Sequence, residues 1–259
     1  MNINKLLIIP QKDCIDEYIS LAKEYGCGFE YNDFFVPKLL DNADELEERI
    51  YFYKMKKDIP EYCTVHGSFL DVTIFSDDRR IREVSDFRVE ESLGVAKQLG
   101  AKGVVFHTNF IPNFKTQSYR DGWVESNVVY WKEKTSKYPD INIYIENMFD
   151  AEWELLARLG HAMKDVNNFG ICFDYAHAHV FGNEEEIENW VVALGVYVKH
   201  IHINDNDFEN DLHQALGQGK IDWNRFKMYY EKYMSEASVL VEVTGLERTK
   251  LSLEYLRCL

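Results

Sequence analysis

Eight short, β-branched or apolar runs recur along the chain, each followed by a stretch whose apolar residues fall at helical spacing. This strand and helix alternation constrains the fold more than any other feature. The runs cover residues 6–9, 28–30, 62–66, 103–107, 141–146, 169–174, 198–204 and 239–243. Ile15, Ile19, Ala22 and Tyr25 predict a helix capped by Asp13 and ended at Gly26. Asn42-Ala43-Asp44-Glu45 opens a second with Leu46, Ile50 and Tyr53 buried, and Leu93, Ala96 and Leu99 mark a third that stops at Gly100. Further helices are expected over 123–137, 153–163, 183–194, 222–234 and 247–256. The Asp- and Arg-rich stretch from about 67 to 85 reads as a long loop, and long loops in compact proteins usually carry function.

Strands separated by helices must run parallel, because the helix returns the chain to the edge it left. Eight such units in 259 residues predict a single (β/α)8 barrel, the TIM-barrel architecture, spanning 1–259. A doubly wound open sheet would carry a glycine-rich phosphate turn after its first strand, and Ile9-Pro10-Gln11-Lys12 has none.

Strand side chains alternate faces, so each strand-terminal polar group has predictable companions. Glu146 shares a face with Tyr144 and Asn142, Glu242 with Leu240 and Ser238, His202 with His200 and Asn204, and Asp174 with Cys172 and Gly170. The opposing β-branched sets suit packing beneath helices. The mixed sets then face the barrel interior, with Glu146, Asp174, His202 and Glu242 at the C-terminal mouth, where barrel enzymes keep their active sites. By the same parity Glu30, His66 and His107 end strands pointing inward, and His177 follows Asp174 by three residues. Desolvating so many imidazoles and carboxylates costs free energy unless a partner is present, and a divalent cation is the economical partner.

His66-Gly-Ser-Phe, Phe106-His-Thr-Asn, Ile145-Glu-Asn, Phe173-Asp-Tyr-Ala-His, His202-Ile-Asn-Asp, Val241-Glu-Val and the run from Asp211-Leu-His to Ile221-Asp-Trp together resemble the xylose isomerase-like barrel superfamily. Its members include sugar and inosose isomerases, ketose 3-epimerases and endonuclease IV. In the isomerase and epimerase branch the resemblance implies one divalent metal (Mn, Mg, Co or Zn) on Glu146, Asp174, His202 and Glu242. There Glu146 and Glu242 pass a proton through an enediolate, and His177 binds substrate, with His66 and His107 as further substrate-binding candidates. His66 and His107 are equally readable as supporting core residues, and His200 as packing one layer down. In the nuclease branch a three-zinc set maps onto His66, His107, Glu146, Asp174, His177, His202, Asp211, His213 and Glu242, which makes Asp211 and His213 possible additional metal ligands. Against the nuclease stand the absence of a His-Pro-Gly-Ser run at His107 and of a glycine-rich continuation after Glu146.

A formal charge of −15, from 44 acidic and 29 basic residues, repels polyanions and disfavours nucleic acid as a partner. The expected substrate is therefore a small sugar or sugar-like molecule, acted on by a sugar, inosose or sugar-phosphate isomerase or epimerase. An endonuclease IV-like enzyme is the alternative, and a barrel without catalysis the third reading. Phe69, Phe114 and Trp123 are candidate pocket walls, and Arg79, Arg80, Lys115 and Arg120 lie in or near loops able to meet a phosphate. Cys14, Cys27, Cys63, Cys172 and Cys258 form no CxxC pair, which argues against a disulfide framework and fits a reducing compartment. The run 6–10 is too short for a signal peptide or a spanning helix, so a cytoplasmic protein without membrane attachment, with a homo-oligomer as one option, is expected.

Overall fold

The computed structural model describes residues 3–70 and 72–259. Eight parallel strands close into one barrel in chain order: β1 (Leu6–Ile8), β2 (Gly28–Tyr31), β3 (Cys63–His66), β4 (Gly103–His107), β5 (Asn142–Glu146), β6 (Phe169–Asp174), β7 (Val198–Ile203) and β8 (Ser238–Val241). Between and after them run α1 (Ile15–Tyr25), α2 (Pro37–Leu40), α3 (Ala43–Met55), α4 (Arg79–Leu99), α5 (Gln117–Lys137), α6 (Glu154–Ala162), α7 (Tyr175–Val180), α8 (Ile187–Leu194), α9 (Trp223–Tyr229) and α10 (Leu246–Cys258). This is the (β/α)8 barrel that the alternating pattern predicts. Among the described residues no helix is long and apolar enough to cross a membrane.

The apolar core lies outside the staves. Ile8, Phe29, Val104, Ile143, Phe173 and Val241 all point outward into one continuous cluster with the helices, and Phe106 stacks on Trp131 at 5.3 Å. Burying each such side chain contributes about 1.5–3 kcal/mol, so this outer seam supplies most of the stability. The inner face is filled differently. Leu7, Ile9 and Leu240 make one small apolar plug, and Val105, Tyr144 and Cys172 another. Gly103 leaves room for Tyr144, whose ring a Cβ at that position would strike. The other inner positions hold small, polar or ionisable residues, and register sets the ionisable ones beside their neighbours: Glu30 opposite Thr64, His107 opposite Glu146, Asp174 opposite His202.

Several boundaries differ from expectation. Asp13 does not cap α1; it sits in the 3-10 turn Lys12–Cys14, and Cys14 takes the cap position without a side-chain bond. The loop after β3 ends at Asp78, whose carboxylate accepts from the Arg80 amide at 2.8 Å and starts α4. Ser85 is thus inside a helix; the polar first turns of α4 hide it from a reading based on apolar spacing, and Asp71 within the loop lies outside the described residues. Likewise α5 begins at Gln117 rather than 123, the expected helix over 183–194 opens as a 3-10 turn, Glu184–Glu186, and that over 222–234 ends in a π turn, Tyr230–Met234. The short helices α2 and α7 have too few residues to show a period.

Candidate metal centre

Glu146, at the end of β5, is fully buried and has imidazoles on two sides. Its Oε2 lies 3.4 Å from His107 Nε2 and 3.7 Å from His66 Nε2. Its Oε1 lies 3.2 Å from His202 Nδ1 and 3.6 Å from His177 Nδ1. Glu242, one residue past β8, brings Oε2 to 3.5 Å from His202 Nδ1. The expected mouth residues therefore meet. They form three groups whose ligand atoms lie within 4.8 Å of one another: His66, His107 and Glu146; Glu146, Asp174, His202 and Glu242; and His177, Asp211 and His213. Cys172, His200 and His202 form a deeper fourth group.

Backbone carbonyls orient three of the histidines. His66 Nδ1 lies 3.0 Å from the Gly67 carbonyl, His177 Nδ1 2.9 Å from that of Asn147, and His213 Nδ1 2.9 Å from that of Glu242. A carbonyl only accepts, so each Nδ1 carries a proton, and Nε2 is the nitrogen left to ligate a cation or, without one, to pair with a carboxylate. His177 Nε2 lies 3.4 Å from Asp211 Oδ2, and His213 Nε2 3.2 Å from the same atom. Asp174 has two tasks: Oδ1 accepts from the His177 amide at 2.6 Å and caps α7, while Oδ2 is buried without a hydrogen-bond partner. Asn147 locks β5 to β6 through the Asp174 amide and carbonyl, both at 2.9 Å.

Asp211 and His213 arrive on a loop tied down from beneath. The fully buried carboxylate of Asp205 accepts from the amides of Asn206, Gly217 and Ile221 and from Trp223 Nε1 at 2.8–3.2 Å. A Cβ at Gly219 would run into that carboxylate and the Asn206 carbonyl. His213 itself has φ 45°, a left-handed conformation costly for a non-glycine residue, and such strain gathers at functional sites.

The donor set fits divalent cations. Both oxygens of Glu146, Asp174 Oδ2, Glu242 Oε2, Asp211 Oδ1, His177 Nε2 and His202 Nδ1 are buried and hydrogen-bonded to nothing, although they face one another. Burial pushes the Asp174 carboxyl up to about 8, with the charges of Glu242 and Glu146 adding to it against the pull of His177. Burial works against a charged His213, but Glu242 and Asp211 outweigh it and push it up to about 10. A cation shared among these groups relieves both tensions without protons. Mixed imidazole and carboxylate donors suit Zn²⁺, Mn²⁺ or Co²⁺ and, for the carboxylate-rich group, Mg²⁺.

Below the centre, Glu30 is also fully buried. Burial alone would favour its neutral acid, but His202 and His200 hold it well below the usual carboxylate range. Its parity places it inside; its position opposite Thr64 and beneath His202 emerges only from barrel closure.

A cavity of about 720 Å³ opens beside the centre, with Lys12, Asn32, Phe35, Arg49, Phe69 and Glu242 in its wall. Phe69, an expected wall, lies 4.5 Å from the His107 ring. The other expected walls are displaced. Trp123 is buried against Phe110 and donates to the Thr108 carbonyl, and Phe114 packs on Tyr119 away from the cavity. Arg120 is paired with Glu152 and Glu154, and Arg79 with Glu83, so neither is placed for a substrate phosphate. Lys12 and Arg49 stand at the cavity, themselves paired with Glu48 and Asp33, and no short-range signal in the sequence marks them.

A sequence profile described as Xylose isomerase-like TIM barrel matches residues 19–257. A Mycoplasmoides gallisepticum protein named probable endonuclease 4 is 26% identical over 209 residues, covering 73% of this chain and 67% of its own. Among solved structures, the TTHB071 protein from Thermus thermophilus soaked with ZnCl2 superposes with a TM-score of 0.75 at 21% identity, covering 100% of this chain and 97% of that one. A D-tagatose 3-epimerase-like protein superposes with a TM-score of 0.74 at 20% identity, covering 98% and 96%. With the profile spanning almost the whole barrel, the chain belongs to the xylose isomerase-like TIM barrel family.

Proposed function

We propose that this chain is a metal-dependent hydrolase of small phosphate esters, with room for three divalent ions. One observation carries the reading: the two oxygens of Glu146 face two different sets of imidazoles, as a bridging carboxylate does, and His177, Asp211 and His213 complete a third set. Beside Glu146 Oε2, His66 and His107 Nε2 converge at 3.7 and 3.4 Å without hydrogen-bonding to it, a donor group that a single-ion isomerase site on Glu146, Asp174, His202 and Glu242 does not use. Bound divalent ions would supply Lewis acidity to a phosphoryl oxygen and make an attacking water more acidic. The chain's part is to hold the donors with fixed tautomers, to place Phe69 against the centre and to seat the rest of the substrate in the cavity beside Glu242. The charge of −15 argues for a compact phosphoester over duplex DNA. The relative named as an endonuclease supports the reaction type.

The second reading is the isomerase or epimerase, with one ion on Glu146, Asp174, His202 and Glu242 and the two glutamates exchanging the proton. The cavity favours it, because about 720 Å³ walled by Asn32, Arg49 and two phenylalanines suits a sugar, and the epimerase-like fold neighbour agrees. Metal analysis of zinc- and manganese-reconstituted protein separates the two, followed by parallel assays. The hydrolase reading expects three ions and release of nitrophenol from bis-nitrophenyl phosphate or of phosphate from sugar phosphates. One ion per chain, with solvent deuterium entering a ketose or inosose and no hydrolysis, would transfer the assignment to the isomerase.

A further inference from the structure

We propose that Glu30 is the positioning residue for His202, fixing its tautomer so that Nδ1 faces the cation shared with Glu146, Asp174 and Glu242. The inference rests on the metal centre but on neither choice of reaction. His66, His177 and His213 each have Nδ1 fixed by a carbonyl. His202 is mounted the other way round, with Nδ1 toward Glu146 and Glu242, and no carbonyl holds its far nitrogen among the described residues. What stands there is Glu30 Oε1, in ion-pair contact 3.1 Å from His202 Nε2 though not aligned as a hydrogen bond, and neither atom has a hydrogen-bond partner among the described residues. The other oxygen is committed: Oε2 accepts from the Thr64 hydroxyl at 2.7 Å and lies 3.0 Å from His200 Nε2. His200 is braced in turn, with Nδ1 2.7 Å from the Ser238 hydroxyl. Glu30 is thus a buried acceptor held from below and aimed at one atom.

A carboxylate is required here and an amide fails. The Thr64 hydroxyl already donates to Oε2 and His202 Nε2 faces Oε1, so a glutamine would set its N–H₂ against one of these donors and lose either the His202 contact or the Thr64 bond beneath it. Carboxylates behind metal-binding histidines raise ligand basicity as well as fixing the ring.

The test uses zinc alone as the probe. Calorimetric titration of wild type and Glu30→Gln should show the tightest zinc step of Glu30→Gln weakened by about 10- to 100-fold. Long-range proton–nitrogen correlation spectra of the zinc-loaded wild type should show His202 protonated at Nε2 and bare at Nδ1, a reading that survives if Glu30→Gln fails to fold. A proton on Nδ1, or a folded Glu30→Gln protein with lower Tm but unchanged zinc affinity, overturns the proposal and leaves the metal centre standing. Failure of the wild type to bind zinc sinks both.

Discussion

Asp174 shows how much one side chain carries. Its Oδ1 caps α7 while its Oδ2 belongs to the cation group, so both meanings of an aspartate at a strand end are realised together. Asp174→Asn keeps an oxygen for the cap and removes the charge. Because burial pushes this carboxyl up to about 8, wild type without metal loses stability as pH rises from about 4 toward 8, so the always-neutral variant should be the more stable near pH 7, yet lose zinc affinity. Asp174→Ala loses the cap as well, and denaturant unfolding should show it weaker than Asp174→Asn by about 1 kcal/mol. A second residue sets a pH dependence. Burial pushes Asp150 up to about 6, even though the Thr108 hydroxyl and the Met148 amide donate to it. The folded protein therefore binds this proton more tightly than the unfolded chain does. Asp150's contribution is fully present below about pH 4 and is lost as pH rises through about 6. Stability of wild type minus that of Asp150→Asn, measured from pH 4 to 7, should fall across that window; a flat difference would place the group in an ordinary carboxylate environment.

At the scale of elements, the centre is assembled from strand ends, fixed by neighbouring strands, and one long loop, fixed by its own Asp205–Gln214 bridge and side-chain bonds. The loop depends on Asp205. Asp205→Ala should release Asp211 and His213, reducing zinc stoichiometry from three to two while the groups around Glu146 still bind; unchanged stoichiometry would mean that the loop folds without its anchor. The same division explains what can be read from sequence. Period-two alternation gives the inner faces of β5 to β8 directly, because a strand has only two faces to choose between. Lys12, Arg49 and the packing of Trp123 depend on how loops and helices lie across the barrel, and no local pattern encodes that. The start of α4 is missed because its first apolar buried residue, Val89, comes ten positions into the helix.

For the whole molecule, binding at these groups is folding energy, since the unfolded chain cannot gather ligands from six strands and a loop. Zinc at a hundred times its dissociation constant should add about 2.7 kcal/mol per site, equivalent to a Tm rise of roughly 5–11 °C for a domain of this size. Chelation should reverse it. A Tm indifferent to zinc and chelator would show that the buried donors hold no ion. The outward-facing core has a further consequence for design. Hydrophobic packing sits between staves and helices, whereas the ionisable groups line the lumen. Thermostabilising substitutions can thus be confined to the seam, and changes of chemistry to the lumen, as two libraries that share few contacts and can be recombined with little mutual interference.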